Sequence, residues 1–263
     1  MPKKLIEKKL DEEILARIKN SKKLKRVYEY LDANPKINSL LEMSNIVLVL
    51  RNDYNDHGKV HAKITTLNSL KILDILKKGS ISEDKIGTLE DVRVAVMLAS
   101  YLHDLGNAVG RDEHELLSVI LAKPFIEEIL DEIYLNDEDK KQKIAATVYD
   151  AIMSHMGRHK AESLEAGIVA TADGCDMEKG RTRIPFKLGK PDIHTLSALS
   201  IDRVEIKEGV KKPVRIEVKM KNAAGVFQVE EILLKKVKAT GFDKYVEVVV
   251  KVGNRELKYL FER

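Results

Sequence analysis

The sequence predicts a mainly α protein, a helical bundle over residues 1–190 followed by a small α+β domain over residues 195–263. Three observations carry that expectation. Apolar residues recur at three- and four-residue intervals in segment after segment as far as about residue 180. Beyond Gly180, two segments instead alternate apolar with polar, as half-buried strands do. Between the two regimes, Arg181 to Pro191 holds two prolines and Gly189, the composition of a connection.

The helices follow in order. Leu5, Leu10, Ile14 and Ile18 lie on one face of an opening helix, Leu24 to Leu31 form a second, and Ile37 to Leu50 form a third after the Asn34-Pro35 break. Val60 to Leu76 carries Ile64, Leu67, Leu70 and Leu73 and is expected to stop at Gly79. Asp91 to Leu102 is apolar nearly all round, which marks a helix in the middle of a bundle. It runs directly into His103-Asp104. Glu113 to Ala122 and Pro124 to Tyr134 read as two short helices separated by the proline, and Glu138 to His155 and Ala161 to Asp173 as the last two. In the C-terminal part, Leu199 to Ile206 and Pro213 to Met220 are expected strands. Gly225 to Val237 is helical, and Lys244 to Val252 is a final strand after Thr240-Gly241.

Composition limits the function classes. The 46 Lys and Arg residues nearly balance the 42 Asp and Glu, leaving a net charge of +4, so no strongly cationic nucleic-acid arm is present and nucleic acid is not the expected partner. No apolar run approaches the roughly 18 residues that span a bilayer. The single cysteine, Cys175, has no intramolecular partner, and Met1-Pro2-Lys3-Lys4 lacks the apolar stretch of a secretory leader. A cytoplasmic protein is expected. Abundant Lys and Glu, two Gln and no Trp resemble the composition of heat-adapted, thermophilic proteins.

The chemistry lies in the histidines. Six of the seven fall in the helical part. His155 continues the face of Ile144, Val148 and Ile152, His103 that of Val92, Val96 and Ala99, and Asp173 follows Val169 by four residues, so all three are expected to point inward. One buried histidine is readily satisfied by a backbone carbonyl. Several imidazoles and carboxylates arriving on the inner faces of different helices need pairing, neutralisation or a metal. Neighbouring His103 and Asp104 can both reach one metal only where the helix ends, and Gly106 just beyond permits a turn.

Taken in order, His61, His103-Asp104, His114, His155 and Asp173 read H…HD…H…H…D, a pattern that resembles the HD-domain superfamily of metal-dependent phosphohydrolases in its six-ligand form. The stretches Ala151 to His155, Ala170 to Asp173 and Gly180-Arg181 are similar to the branch that splits diadenosine tetraphosphate symmetrically. The resemblance implies an HD-domain helical bundle in which His61, His103 and Asp173 hold one metal, His114 and His155 hold a second, and Asp104 bridges. A His-rich set suits Fe, Mn, Co, Ni or Zn over Ca or Mg, with Fe or Mn expected. Two such divalent transition metals, roughly 3.5–4 Å apart, activate a bridging water as hydroxide and neutralise phosphoryl oxygens. The implied activity is hydrolysis of a phosphate ester or anhydride, with a nucleotide as the small phosphorylated substrate; monoester, cyclic diester and dinucleoside polyphosphate stay open.

Around this set, Asp104 and His57 are the expected catalytic residues, His57 as an acid, a phosphate contact or an extra ligand one turn before His61. Arg181 and Arg183, with Lys179, are expected on substrate phosphate. Many relatives carry Lys at the fourth position after the dyad histidine; here it is Asn107, an amide without charge, for which Arg111 or Lys59 can compensate. His159 is expected in a polar loop, and Cys175 as a small helix-end residue. Two other readings fit the same ligands: a mixed-valent diiron oxygenase of the HD type, and a non-catalytic regulatory metal-binding module. The C-terminal sheet is expected to be one-sided, with an exposed edge able to pair in a homodimer.

Overall fold

The computed structural model describes residues 3–52, 54–178, 193–253 and 255–261. The helical part contains α1 (Lys3–Ile18), α2 (Lys22–Ala33), α3 (Pro35–Asn45), α4 (Lys59–Leu76), α5 (Ser80–Glu83), α6 (Leu89–Leu102), α7 (His114–Ile133), α8 (Glu138–Ser154) and α9 (Leu164–Gly174). Their starts follow from capping chemistry. Ser21 Oγ accepts from Leu24 N, Asn34 caps α3 with Pro35 in the first turn, Thr88 and Asp91 form a capping box on α6, and Ser163 caps α9. Helix α6 is the axis of the bundle: Val92, Val94, Val96, Met97, Leu98, Ala99, Tyr101 and Leu102 are all fully buried, with α4, α8, α9 and α2 around it. This is the environment that its all-round apolar sequence predicts.

Three local expectations are corrected. Helix α4 ends at Leu76 because Lys77 takes the left-handed conformation, φ 54°, and closes the last turn onto Leu73 O; Gly79 instead begins α5. Glu113 to Ala122 and Pro124 to Tyr134 are one helix, α7, with Pro124 inside it on the solvent side. The third helix passes at Ile46–Arg51 into a π-helical turn.

The C-terminal part has helix α10 (Ile193–Leu199) and a four-stranded sheet of β1 (Ile201–Glu208), β2 (Val214–Met220), β3 (Val246–Val252) and β4 (Arg255–Tyr259) in that spatial order. Strands β1 and β2 form an antiparallel hairpin, β2 and β3 are parallel, and β3 and β4 antiparallel. A helical crossover joins β2 to β3: Val226–Gln228, a π-helical stretch Val229–Leu234, and Lys235–Ala239. Val214, Ile216 and Val218 pair with Val246, Val248 and Val250, all fully buried, so one face is core. Strand β4 is absent from the sequence expectation: Arg255 to Lys258 are exposed, and no buried alternation marks them. The expected first strand begins at Ile201, since Leu199 still belongs to α10.

The sheet unit rests on the bundle, β1 beside α4 and the crossover helix and the turn at Phe242 against α9. Gly167 makes that contact possible. A Cβ there would lie 2.8 Å from the Phe242 ring, closer than carbon atoms approach. No helix among the described residues is long and apolar enough to cross a membrane.

Candidate metal centre

Helix ends deliver the site. His61 lies in the first turn of α4, His103 is the C-cap of α6, His114 opens α7, His155 is the C-cap of α8, and Asp173 lies in the last turn of α9. His103 keeps helical angles, but Asp104, at φ −108° and ψ 8°, has left the helix, which turns two adjacent side chains toward one point. A short 3-10 turn, Leu105–Ala108, then lies on the start of α7. Gly106 is required for close approach. A Cβ there would sit 2.1 Å from His114 O and 2.6 Å from Ser118 N, so any side chain would push His114 away from Asp104.

Four histidines have their outer nitrogens committed. Nδ1 of His103 lies 2.8 Å from Ser100 O, Nδ1 of His114 2.9 Å from Arg111 O, and Nδ1 of His155 2.7 Å from Ile152 O. Carbonyls only accept, so each Nδ1 carries the hydrogen. His61 Nδ1 likewise donates to Asp176 Oδ2 at 2.6 Å. In the neutral rings, every Nε2 is then an acceptor, and all four face inward: His61 and His103 Nε2 are 3.1 Å apart and His114 and His155 Nε2 3.3 Å, with Arg111 Nη1 3.3 Å from His114 Nε2. Burial pushes the pKa values of His114 and His155 down to about 4, so at neutral pH neither Nε2 of that pair can donate to the other. Converging lone pairs with fixed tautomers suit a cation better than they suit one another.

Asp104 stands between the two pairs. Its Oδ2 is 3.3 Å from both His61 and His103 Nε2, and its Oδ1 is 3.5 Å from His114 and 3.6 Å from His155. Asp173 Oδ1 is 3.2 Å from His61 Nε2 and 3.8 Å from His103 Nε2. Donor atoms of His61, His103 and Asp173 lie within 4.8 Å of one another, as do those of His103, Asp104 and His155, and those of His57, His61 and Asp104; each group could hold a metal ion. Burial alone would push the Asp104 carboxyl up, but His103 and His57 beside it hold it well below the usual range. For Asp173, Lys236 and the histidines likewise outweigh burial.

The remaining expected residues are placed as follows. His57 turns its Nδ1 to Asp104 Oδ2 at 2.7 Å, on the outer side of the His61 pair. Asn107 commits its amide nitrogen to Asp104 Oδ1 at 2.8 Å, so it orients the central carboxylate. Arg111 reaches 3.3 Å from His114 Nε2 and lies over the Tyr54 ring. Lys59 is not brought to the centre: its ammonium binds Asp32, through the backbone oxygen and the carboxylate, in a network with Lys63 and Asp11. Arg181, Arg183 and Lys179 lie outside the described residues. His159 is exposed, and burial raises the Cys175 thiol far above its ordinary pKa, which disfavours the thiolate that a nucleophile needs.

Three residues escape the sequence reading. Asp176 fixes His61; its signal is a second carboxylate three residues after Asp173. Glu115, 1% exposed, has Oε2 3.1 Å from His114 Nδ1 and Arg158 3.6 Å from its other oxygen. Lys236, from the crossover helix of the sheet unit, donates to Asp173 Oδ2. Nothing in its sequence context marks it.

This fold and this set of donors define an HD-domain protein, a class that binds divalent metals and includes metal-dependent phosphohydrolases, and the HD domain family matches residues 60–178. The chain carries that domain and is related to the uncharacterized protein MJ1020 of Methanocaldococcus jannaschii, to which it is 48% identical over 232 residues, 87% of this chain and 89% of that protein. No solved structure matches the chain.

Proposed function

We propose that the protein is a phosphohydrolase with a binuclear centre, acting on a phosphate ester or anhydride of a nucleotide. The observation that supports this most directly is the division of Asp104. One of its oxygens faces the His61–His103 pair and the other the His114–His155 pair, as a carboxylate shared by two cations requires. His61, His103 and Asp173 would hold one ion and His114 and His155 the other, with iron or manganese the best match to a set rich in imidazole. Bound there, the two cations would supply Lewis-acid polarisation of phosphoryl oxygens and an acidified water.

The protein's own residues do the rest. Asn107 keeps Asp104 from rotating, while Asp176 and the three backbone carbonyls hold the imidazoles in one tautomer. His57, hydrogen-bonded to Asp104 on its Nδ1, is placed to hold or pass a proton on that side. Arg111 approaches from the His114 end, where a guanidinium can take phosphoryl oxygens. Arg181 and Arg183 remain proposed phosphate contacts on sequence grounds.

The test is protein purified without oxygen, reconstituted separately with Fe, Mn, Co and Ni, and assayed on a nucleoside monophosphate, a cyclic dinucleotide and a dinucleoside tetraphosphate. Hydrolysis of one class is expected, and His103→Ala and Asp104→Ala each reduce it by more than the roughly 10–100-fold cost of losing an outer partner. Activity surviving both substitutions refutes the site, and a product that forms only in the presence of dioxygen assigns the centre to oxygenase chemistry instead.

A further inference from the structure

We propose that Lys236, carried by the C-terminal sheet unit, is a phosphate-binding cation of the metal centre, so that the site is completed by a part of the chain outside the HD domain. The inference rests on the binuclear reading above and adds to it the residue that receives the anion.

Lys236 is 6% exposed, and its ammonium touches Asp173 Oδ2, with the Met156 sulfur 3.4 Å away. Asp173 offers its other oxygen, Oδ1, to His61 and His103, so Lys236 approaches the centre from behind one of its ligands without occupying the donor that faces inward. An ammonium has three hydrogens. Asp173 takes one, and a thioether is a weak acceptor, so among the described residues Asp173 is its strong partner and donor capacity is left for an anion.

A purely structural role explains Lys236 poorly. The crossover helix already meets the bundle through apolar contacts: Leu233 against Gly174, Ala239 against Gly157, and Phe242 of the following turn against Gly167. For adhesion alone, an apolar pair at positions 173 and 236 would do as well or better, because desolvating two charges offsets most of what their ion pair contributes. The helix that bears Lys236 also passes through a π-helical stretch, Val229–Leu234, immediately before it, a distortion found frequently at functional sites. The charge balance of the centre points the same way. Asp104 is central, Asp173 and Asp176 lie buried at the His61 end and Glu115 at the His114 end, and Asn107 contributes no charge. Lys236 against Asp173, beside the His61–His103 pair, and Arg111 against His114 place one cation next to each histidine pair, where a phosphoryl group bound at the centre would draw on both.

The test uses full-length protein, manganese as the metal and inorganic phosphate as the probe, with binding of each measured by calorimetry for wild type, Lys236→Met and Lys236→Arg. Lys236→Met is expected to fold with a lower thermal midpoint, since Asp173 is left buried without its counter-charge, and to bind manganese at least as tightly, since a cation has been removed from behind Asp173. Its phosphate affinity is expected to fall about tenfold or more, and Lys236→Arg to recover most of that loss. Phosphate affinity within twofold of wild type in manganese-loaded Lys236→Met overturns the proposal, and so does parallel loss of manganese and phosphate, which would make Lys236 a positioning residue for Asp173. Should Lys236→Met fail to fold, Lys236→Gln carries the same comparison, and failure of both to fold overturns the proposal in favour of a structural ion pair. Wild-type protein that binds no manganese overturns the metal-centre reading itself, a result distinct from all of these.

Discussion

His61 is oriented by a residue that no ligand pattern includes. Asp176 Oδ2 takes the His61 Nδ1 hydrogen at 2.6 Å, leaving Nε2 toward His103 and Asp173. A carboxylate behind an imidazole also makes the ring a stronger donor to a metal. Asp176→Ala is therefore expected to weaken metal binding by about 10–100-fold while leaving the helical content unchanged. Competition against a chelator, with far-UV dichroism as the control, checks this; unaltered affinity would mean that the ring is held by its packing alone. Which residues can be read from sequence follows from the same geometry. His103, His155 and Asp173 continue long apolar faces, so their direction is written in the spacing. Asp176 lies beyond the end of α9, where no period applies, and Lys236 meets Asp173 from 63 residues away, inside a run, Lys235-Lys236-Val237-Lys238, that resembles any solvated helix face. Only the packing of α9 against the crossover helix singles it out.

Helix α7 shows why a local rule can mislead at the scale of an element. Proline in a helix interior normally costs about 3 kcal/mol, through a lost hydrogen bond and a clash with the carbonyl four residues back. Here that carbonyl belongs to Ile120, which is 58% exposed, and Pro124 is exposed too, so water can take the orphaned oxygen while the buried side, Ala122, Phe125 and Ile126, continues unbroken. Strand β4 was hidden for the opposite reason, since an edge strand carrying charge on exposed positions shows no buried period. In β3 the decisive residue is Glu247, 1% exposed. Its carboxylate accepts from the backbone nitrogens of Val210 and Lys211 and from Arg215 Nε at 2.6 Å, tying the β1–β2 turn to the parallel strand. Burial pushes the Glu247 carboxyl up, but those hydrogen bonds bring it down to about 2. A folded-state value below the unfolded one means stability that is complete well above about pH 4.5 and is lost as the pH falls toward 2. Between pH 7 and pH 3 this one group accounts for about 2 kcal/mol. Glu247→Gln is expected to be less stable at pH 7 and to show an acid-induced loss smaller by about that amount, measured by urea unfolding at the two pH values. Parallel pH profiles would remove Glu247 from the account.

At the scale of the whole molecule, the sequence suggests two domains with a connection between them, and among the described residues helix gives way to strand at Ile201. What the pattern does not reveal is the joint. It is made by glycines of the bundle, Gly157, Gly167 and Gly174, whose missing side chains matter only against Ala239, Phe242 and Leu233, and by Lys236 against Asp173. Such contacts have no periodic signature, because each belongs to two distant segments at once. The joint also has a thermodynamic consequence, since α9 contributes Asp173 to the centre on one side and the floor of the sheet unit on the other. An ion that binds the folded centre and not the unfolded chain stabilises whatever unfolds together with it. At a free concentration 100 times its dissociation constant that amounts to about 2.7 kcal/mol, equivalent to a rise of about 5 °C in the midpoint of a chain of this size. Removing the metal relieves that stabilisation and leaves buried carboxylates without their counter-charge. The expected result is a single transition, monitored in the sheet by amide hydrogen exchange of β2 and β3 and in the bundle by helical dichroism, that moves upward as one on addition of manganese. If only the bundle shifts while the sheet exchanges at an unchanged rate, the two parts unfold independently, and the metal centre stabilises its own helices without the unit that supplies Lys236.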